Sequence, residues 1–196
     1  EPIYRQIEPF RKRRAGRLSG GMKQKLALSC ALIHKPRILI LDEPTTGVDA
    51  VSRTEFWEML EGLRKEGITI IVSTPYMDEA LRCDRIALIQ QGRLLGIDTP
   101  AAIRSGYGRQ LWAVTHPERY SLLLALRNMP NVSGTEPFGD SVHITLHEGA
   151  VPEDVLRSLE EAGIPGAAIK ETAPGIEDVF LELMKKEAGK SECLSV

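Results

Sequence analysis

Apolar positions along the chain fall into runs whose spacing alternates between helical and strand-like. Residues 18–36 read as a capped helix: Ser19 supplies an N-cap, Met22, Leu26, Cys30 and Ile33 recur at helical spacing, and Pro36 blocks continuation. Residues 38–41 (Ile-Leu-Ile-Leu) form a short apolar run, as expected of a strand buried on both faces. Asp49 caps a second helix carrying Phe56, Met59, Leu60 and Leu63 on one side and ending at Gly67. A second buried strand covers 68–73, a short helix 77–83, and a hairpin at 85–96 turns on Gln91-Gly92. Strands alternating with helices predict an α/β unit built on a parallel, doubly wound sheet.

Residues 98–108, rich in small residues and holding Pro100, Gly106 and Gly108, read as a domain boundary. Beyond them strands are expected at 110–115, 132–138, 141–147 and 167–171, with helices at 118–128, 152–162 and 176–186. The order βαββαβ is that of a small ferredoxin-like α+β domain, a fold that hosts many functions and names none. The expected organisation is 1–100, 101–187 and a tail at 188–196.

Composition narrows the class. With 196 residues, 42% hydrophobic, 27% charged and a net charge of −2, the chain is globular in type, not disordered or fibrous. Its longest apolar runs, 38–41 and 68–72, fall far short of the ~18 residues of a membrane-spanning helix. Residues 1–14 are polar and hold no signal peptide, and the first residue is Glu1, not Met, as in a fragment or a processed product. Cys30, Cys83 and Cys193 form no CxxC pair, which excludes a zinc ribbon or a disulfide framework and favours a reducing compartment. Positive charge concentrates in residues 1–40, where ten Lys and Arg face only Glu1 and Glu8. The run Arg11-Lys12-Arg13-Arg14 could track nucleic acid, but with only Phe10 beside it and no interleaved aromatics it reads as a solvated surface.

Two motifs carry chemistry. Leu18-Ser19-Gly20-Gly21-Met22 presents a hydroxyl and unshielded N–H groups at the positive end of a helix, which suits an anion such as phosphate. Asp42-Glu43 places two carboxylates at the C-terminal end of a strand, where α/β sheets bind ligands. One suits Mg²⁺ and the other an attacking water. His34, His143, His147, Trp57, Trp112 and Cys30 carry bland readings: a helix end, a strand face without further metal ligands, core fillers and an inert thiol on an apolar stripe.

In this order and spacing the two motifs resemble the later part of an ATP-binding cassette, the nucleotide-binding domain of ABC transporters and a member of the P-loop NTPases. Leu18, Ser19, Gly20, Gly21 and Met22 match the signature motif, with Met22 in place of the commoner Gln; 38–43 match the Walker B strand and Val48-Asp49 the D-loop. The closing Gly175-Ile176-Glu177-Asp178-Val179-Phe180-Leu181 is similar to the accessory domain of drug- and polysaccharide-export cassettes. The resemblance implies that Ser19, Gly20 and Gly21 touch ATP held by a second cassette, that Asp42 serves Mg²⁺, Glu43 the hydrolytic water, and Asp49 cross-talk between sites. It further implies two partners, a second cassette (identical, different or in tandem) and a transmembrane permease subunit. No nucleic acid is expected. The implied location is cytoplasmic, peripheral at the inner face of the cell membrane.

Two departures qualify the match. No GxxxxGK[ST] phosphate loop occurs; Gly189-Lys190-Ser191 follows a helix and is a coincidence. In the family that loop lies upstream, so a lead on the order of a hundred residues, somewhat below a typical domain, is expected to be missing. Where the family has a switch histidine after the second strand, this chain has Ser73-Thr74-Pro75. Proline has no N–H and no polar side-chain atom with which to contact a γ-phosphate. That points to a degenerate site. The alternative readings are a non-catalytic cassette that donates its signature to a partner, and a soluble cassette ATPase acting on ribosomes or DNA. The 196-residue chain is expected to show no measurable ATPase activity and only weak nucleotide affinity, because loop N–H groups and a Lys normally grip the β- and γ-phosphates. Tight MgATP binding abolished by Asp42→Ala would contradict this.

Overall fold

In the computed structural model, which describes residues 2–193, helix α1 (Pro2–Ile7) and two 3₁₀ turns (Glu8–Phe10 and Ala15–Arg17) precede the first long helix, α2 (Gly20–Leu32). Composition conceals α1, yet its Ile3 and Ile7 are buried one helical turn apart and it packs on α2. Strand β1 (Ile38–Asp42), helix α3 (Ala50–Lys65), strand β2 (Thr69–Ser73) and the short helix α4 (Met77–Ala80) complete the first of two units, Glu1–Arg82. β1 and β2 pair in parallel, Ile38 opposite Thr69 and Asp42 opposite Ser73. Gly67 ends the stretch after α3 at φ +92°, a conformation that favours glycine.

Burial in this unit departs from the periodic reading in two places. In α2 the buried residues are Gly21, Leu28, Ser29 and Leu32, whereas Cys30 and Ile33 of the expected stripe are exposed. Apolar residues occur on every side of this helix, so spacing alone does not select a face. In α3 the buried set is Phe56, Trp57, Leu60 and Leu63. In β1 only Leu39 is buried; Ile38 and Ile40 are 58% and 73% exposed, and Ile71 of β2 is 54% exposed. The two-stranded sheet thus has one covered face and one open apolar face, not the two buried faces that an all-apolar strand predicts.

The second unit, Cys83–Val196, opens with the antiparallel hairpin of β3 (Ile86–Gln90) and β4 (Arg93–Asp98). The chain turns on Gln91 and Gly92 at φ +49° and +74°. The segment 98–108 is not a bare linker: Thr99 Oγ1 accepts the Ala102 N–H at 3.2 Å and starts α5 (Pro100–Ser105). The division between units falls at Arg82/Cys83, ahead of that segment, because α5 packs on β4. There follow β5 (Leu111–Thr115), α6 (Arg119–Arg127), β6 (Val132–Phe138), β7 (Ser141–Leu146), α7 (Pro152–Glu161), β8 (Ala168–Thr172) and α8 (Ile176–Cys193). The sheet order is β6-β7-β5-β8 with every neighbour antiparallel, the ferredoxin-like arrangement.

Val114, Leu122, Leu126, Val142, Ile144, Val155 and Leu159 form the core between the sheet and helices α6 and α7. On the other face of β7, His143 and Thr145 are also buried. Gly134 of β6 sits at a register irregularity where a Cβ would stand 2.7 Å from Thr145 Oγ1, so only glycine fits. α8 continues to Cys193 where a tail was expected from 188, and residues 194–196 lie outside the described residues. No helix among the described residues is long and apolar enough to cross a membrane.

The open face of β1 and β2 predicts self-association of the 196-residue chain, since contiguous exposed apolar surface is rarely left bare. Light scattering at rising concentration should show oligomers for the parent chain and fewer for Ile40→Lys. A monodisperse parent at high concentration would contradict the prediction.

Candidate functional site

The pairing of β1 with β2 sets the geometry of the two carboxylates. Ser73, opposite Asp42, donates its hydroxyl to Asp42 Oδ1 and accepts the Glu43 N–H at 3.0 Å. The same N–H reaches the Ser73 carbonyl at 3.0 Å. Glu43 turns the chain at φ +43°, an uncommon conformation for a residue with a Cβ. Thr46 holds the turn, donating its hydroxyl to Glu43 Oε2 and its N–H to the Glu43 carbonyl, at 3.0 and 3.2 Å. Both carboxylates are exposed at the strand's C-terminal end. Their hard oxygens suit Mg²⁺, which takes one or two carboxylates and completes its shell with water and phosphate. No group of three or more His, Cys, Asp or Glu that could hold a metal occurs among the described residues.

The segment matching the signature meets the segment matching the D-loop. Leu18 closes the 3₁₀ turn, Ser19 Oγ accepts the Met22 N–H at 3.3 Å, and α2 begins at Gly20. Asp49 Oδ1 accepts the Ser52 N–H at 2.9 Å and caps α3. That hydrogen bond is the main reason the Asp49 carboxyl titrates below the usual range. The two helix starts touch: a Cβ at Gly20 would stand 3.1 Å from the Gly47 carbonyl oxygen, and one at Gly21 only 2.5 Å from Ser52 Cβ and Oγ. Packing therefore requires glycine at position 21, apart from any ligand, and leaves little room at position 20. Ser19, Gly20 and Asp49 are exposed, and Met22 is half-buried. Thus the structure brings Gly20 and Gly21 against Gly47, Val48 and Ser52, while Asp42 and Glu43 cluster with Ser73 and Thr46.

Sequence reasoning missed a third group. Glu79 is 1% exposed, yet it accepts hydroxyl hydrogen bonds from Thr45 at 2.7 Å and Thr74 at 2.6 Å, and Arg53 Nε lies 3.2 Å from its carboxylate. Arg53 also donates to Asp78 at 2.7 Å and lies over the Tyr76 ring, 4.5 Å from its centroid. The network ties the turn after β1, helix α3 and the stretch after β2 to one buried carboxylate. In the sequence Asp78-Glu79 looks like any acidic first turn; only the spatial approach of Thr45 sets Glu79 apart. Pro75 sits within this frame, exposed, with Thr74 Oγ1 accepting the Tyr76 N–H at 3.1 Å.

Of the residues read as bland, His147 is exposed beyond the end of β7 whereas His143 is buried, and the two make no common site. His34 lies past the end of α2, and Trp57 is a core residue.

A mixed α/β unit with an acidic pair ending a parallel strand and a glycine-rich helix start on the D-loop side defines a class, the ATP-binding cassette. Comparison with known proteins agrees. Residues 4–46 match the family described as ABC transporter. The chain is 40% identical over 96% of its length to the probable multidrug ABC transporter ATP-binding protein YbhF of Escherichia coli K12, covering 32% of that protein. It is 38% identical over 95% of its length to the Nod factor export ATP-binding protein I of Rhizobium sp. N33, covering 60% of it. A solved ATP binding subunit of an ABC transporter matches 55% of this chain and 46% of its own at 30% identity and a TM-score of 0.48. The chain belongs to the family of ABC transporter ATP-binding domains. It spans about a third to three fifths of the length of these relatives.

The contact between the helix starts is testable by folding energetics. Gly21→Ala should destabilise the chain by about 1–3 kcal/mol, the usual cost of forcing atoms into filled space. Pairing it with Ser52→Gly should recover part of that cost in a double-mutant cycle read by urea denaturation. Additive effects would mean that the two helix starts are not in contact.

Proposed function

We propose that this chain is part of the ATP-binding subunit of an export-type ABC transporter, which couples MgATP binding and hydrolysis to transport by a membrane permease. The relatives' names, multidrug transport and Nod factor export, support the export class. The observation that carries the reading is the exposed hydroxyl and glycine helix start at Ser19 and Gly20, packed beside Gly47 and a few residues from Asp49. This arrangement offers backbone N–H groups to a phosphate on another molecule. In that reading the segment of Leu18 to Met22 closes on ATP bound by a second cassette, identical or different, and Asp49 lies at the seam between the two. Asp42 holds Mg²⁺, whose chemistry is to neutralise charge on the phosphates. Glu43, its backbone pinned by Ser73, orients a water for attack. The subunit lies in the cytoplasm against the inner face of the membrane.

Pro75 sets the character of this chain's own site. It offers no donor where a switch residue would meet a γ-phosphate, and Thr74 beside it is committed to Glu79 and the Tyr76 N–H. The site binds ATP in the intact protein and turns it over poorly, and the partner cassette carries most of the hydrolysis with Ser19 and Gly20 contributed from here. Steady-state ATPase assays of the assembled transporter test this. Removal of a working general base costs ~10²–10⁴-fold, whereas Glu43→Gln here should cost less than about twofold. Ser19→Arg, which blocks the face offered to the partner, should remove most of the rate. A large loss with Glu43→Gln would mean that this site is catalytic.

A further inference from the structure

Many cations of this chain stand beside carboxylates. Lys25 meets Glu55 at 2.6 Å, Arg53 meets Asp78 at 2.7 Å, Arg119 meets Asp140 at 3.1 Å, and the buried His143 lies, through Nδ1, 2.8 Å from Asp178 Oδ1 of α8. The stretch before α2 is different. Arg5, Arg11, Lys12, Arg13, Arg14 and Arg17 are all exposed, and among the described residues none of them forms an ion pair. From residue 2 to residue 41 the one acidic residue is Glu8, and α2, on which α1 packs, contains none. The surplus is local and uncompensated.

The fold gathers these cations. Arg5 leaves α1 on the side opposite Ile3 and Ile7, which are buried. With Arg11 and Lys12 it lines a groove of about 520 Å³ whose other walls are Glu8 and Pro9, so three cations there face one carboxylate. The Arg11 N–H reaches the Glu8 carbonyl at 3.0 Å, that of Arg13 the Phe10 carbonyl at 2.8 Å, and that of Arg17 the Arg14 carbonyl at 2.8 Å. Such turns set the backbones that carry neighbouring cations within one screening length, ~8 Å at physiological salt. Like charges so placed repel, and no acidic neighbour offsets them. The Arg13 guanidinium lies over the Phe10 ring, 4.6 Å from its centroid. Stacking of this kind leaves the edge N–H groups of the fork free to donate.

We infer that this surface docks on the anionic phospholipid headgroups of a membrane. Five of the six cations are arginines, whose forks match phosphate oxygens in pairs. Clusters of about four to eight Lys and Arg are what an anionic lipid surface attracts. A nucleic acid finds less here: Phe10 is covered by Arg13 and cannot stack a base, and α1, at six residues, is too short to read a duplex groove. Every residue lining the groove is exposed, so it holds no recess for the buried anchor of a protein partner, and a lipid surface requires none. The choice of a membrane over other polyanions rests on the cassette reading above, which sets the subunit against one. Arg17 lies two residues before Ser19, so docking also anchors the start of α2.

The test is flotation of the 196-residue chain with lipid vesicles, in which bound protein rises with the lipid and self-associated protein does not. Vesicles holding about 30% phosphatidylglycerol in phosphatidylcholine should carry the chain up at ~50 mM NaCl and release it at ~500 mM, and pure phosphatidylcholine should carry none. Each cation contributes about fivefold to partitioning, so Arg11→Gln, Lys12→Gln, Arg13→Gln and Arg14→Gln combined should lower it at least about a hundredfold. Arg11→Lys, Arg13→Lys and Arg14→Lys combined keep the charge and should retain most of the binding. Arg85→Gln, Arg127→Gln, Arg157→Gln and Lys170→Gln combined remove as much charge from exposed positions of the second unit and should cost less than about fivefold. The parent chain's lipid and salt dependence is read without any variant. Equal binding to neutral and anionic vesicles, no binding at low salt, or equal losses from the two Gln sets would overturn the inference. So would release by ~5 mM inorganic phosphate at constant ionic strength, the mark of a single-phosphate site, or tighter binding to duplex DNA or poly-L-glutamate than to the vesicles at equal charge and salt. No outcome bears on the ATPase assays of Glu43→Gln and Ser19→Arg, so the cassette reading and this one fail separately.

Discussion

The N-terminus of α2 stands so close to the first turn of α3 that no side chain fits at Gly21. The constraint makes the Ser19 cap and the Asp49 cap parts of one assembly, because a displacement of either helix start carries the other with it. β1 leads into the turn that Asp49 ends, so the acidic pair is joined through six residues to the same contact. A glycine-rich helix start of this kind is usually explained by its phosphate. Here half of the explanation lies behind it, in the packing against Ser52 and the Gly47 carbonyl.

Glu79 plays the complementary part behind the carboxylate pair. Burying an ionised carboxylate is costly unless its oxygens are satisfied. Thr45, Thr74 and Arg53 satisfy them from three separate stretches of chain. The stretch that contains Pro75 is therefore held by Thr74 on one side and Glu79 on the other. Loss of a polar group at position 75 has not loosened the frame around it; scaffold and chemistry are carried by different residues.

Much of this was legible in the sequence, and the reasons differ from element to element. Ser19 and Asp49 were readable as caps because capping depends on one side chain and the three residues after it. The βαββαβ order was readable because turns and alternating strands are local signals. The buried face of α2 was not, since its apolar residues surround the helix and only the neighbours choose among them. Helix α5 was hidden by small residues that suit a linker equally well. Glu79 and the His143–Asp178 pair were out of reach because each gains its meaning from a partner distant along the chain, Thr45 34 residues from Glu79 and Asp178 35 residues from His143. The motif match itself required neither fold nor packing, only order and spacing.

Strand β7 obeys different chemistry on its two sides, with Val142 and Ile144 in the apolar core and His143 and Thr145 on the face of α8. In an ordinary half-exposed strand, a slip of one residue trades core for water. Here the same slip would drive an imidazole and a hydroxyl into the core and set two aliphatic side chains against Asp178. Both faces veto the mistake at once. The register of the β6–β7 hairpin is thus fixed from both sides of the sheet, by the apolar core on one and by Asp178 of the last helix on the other.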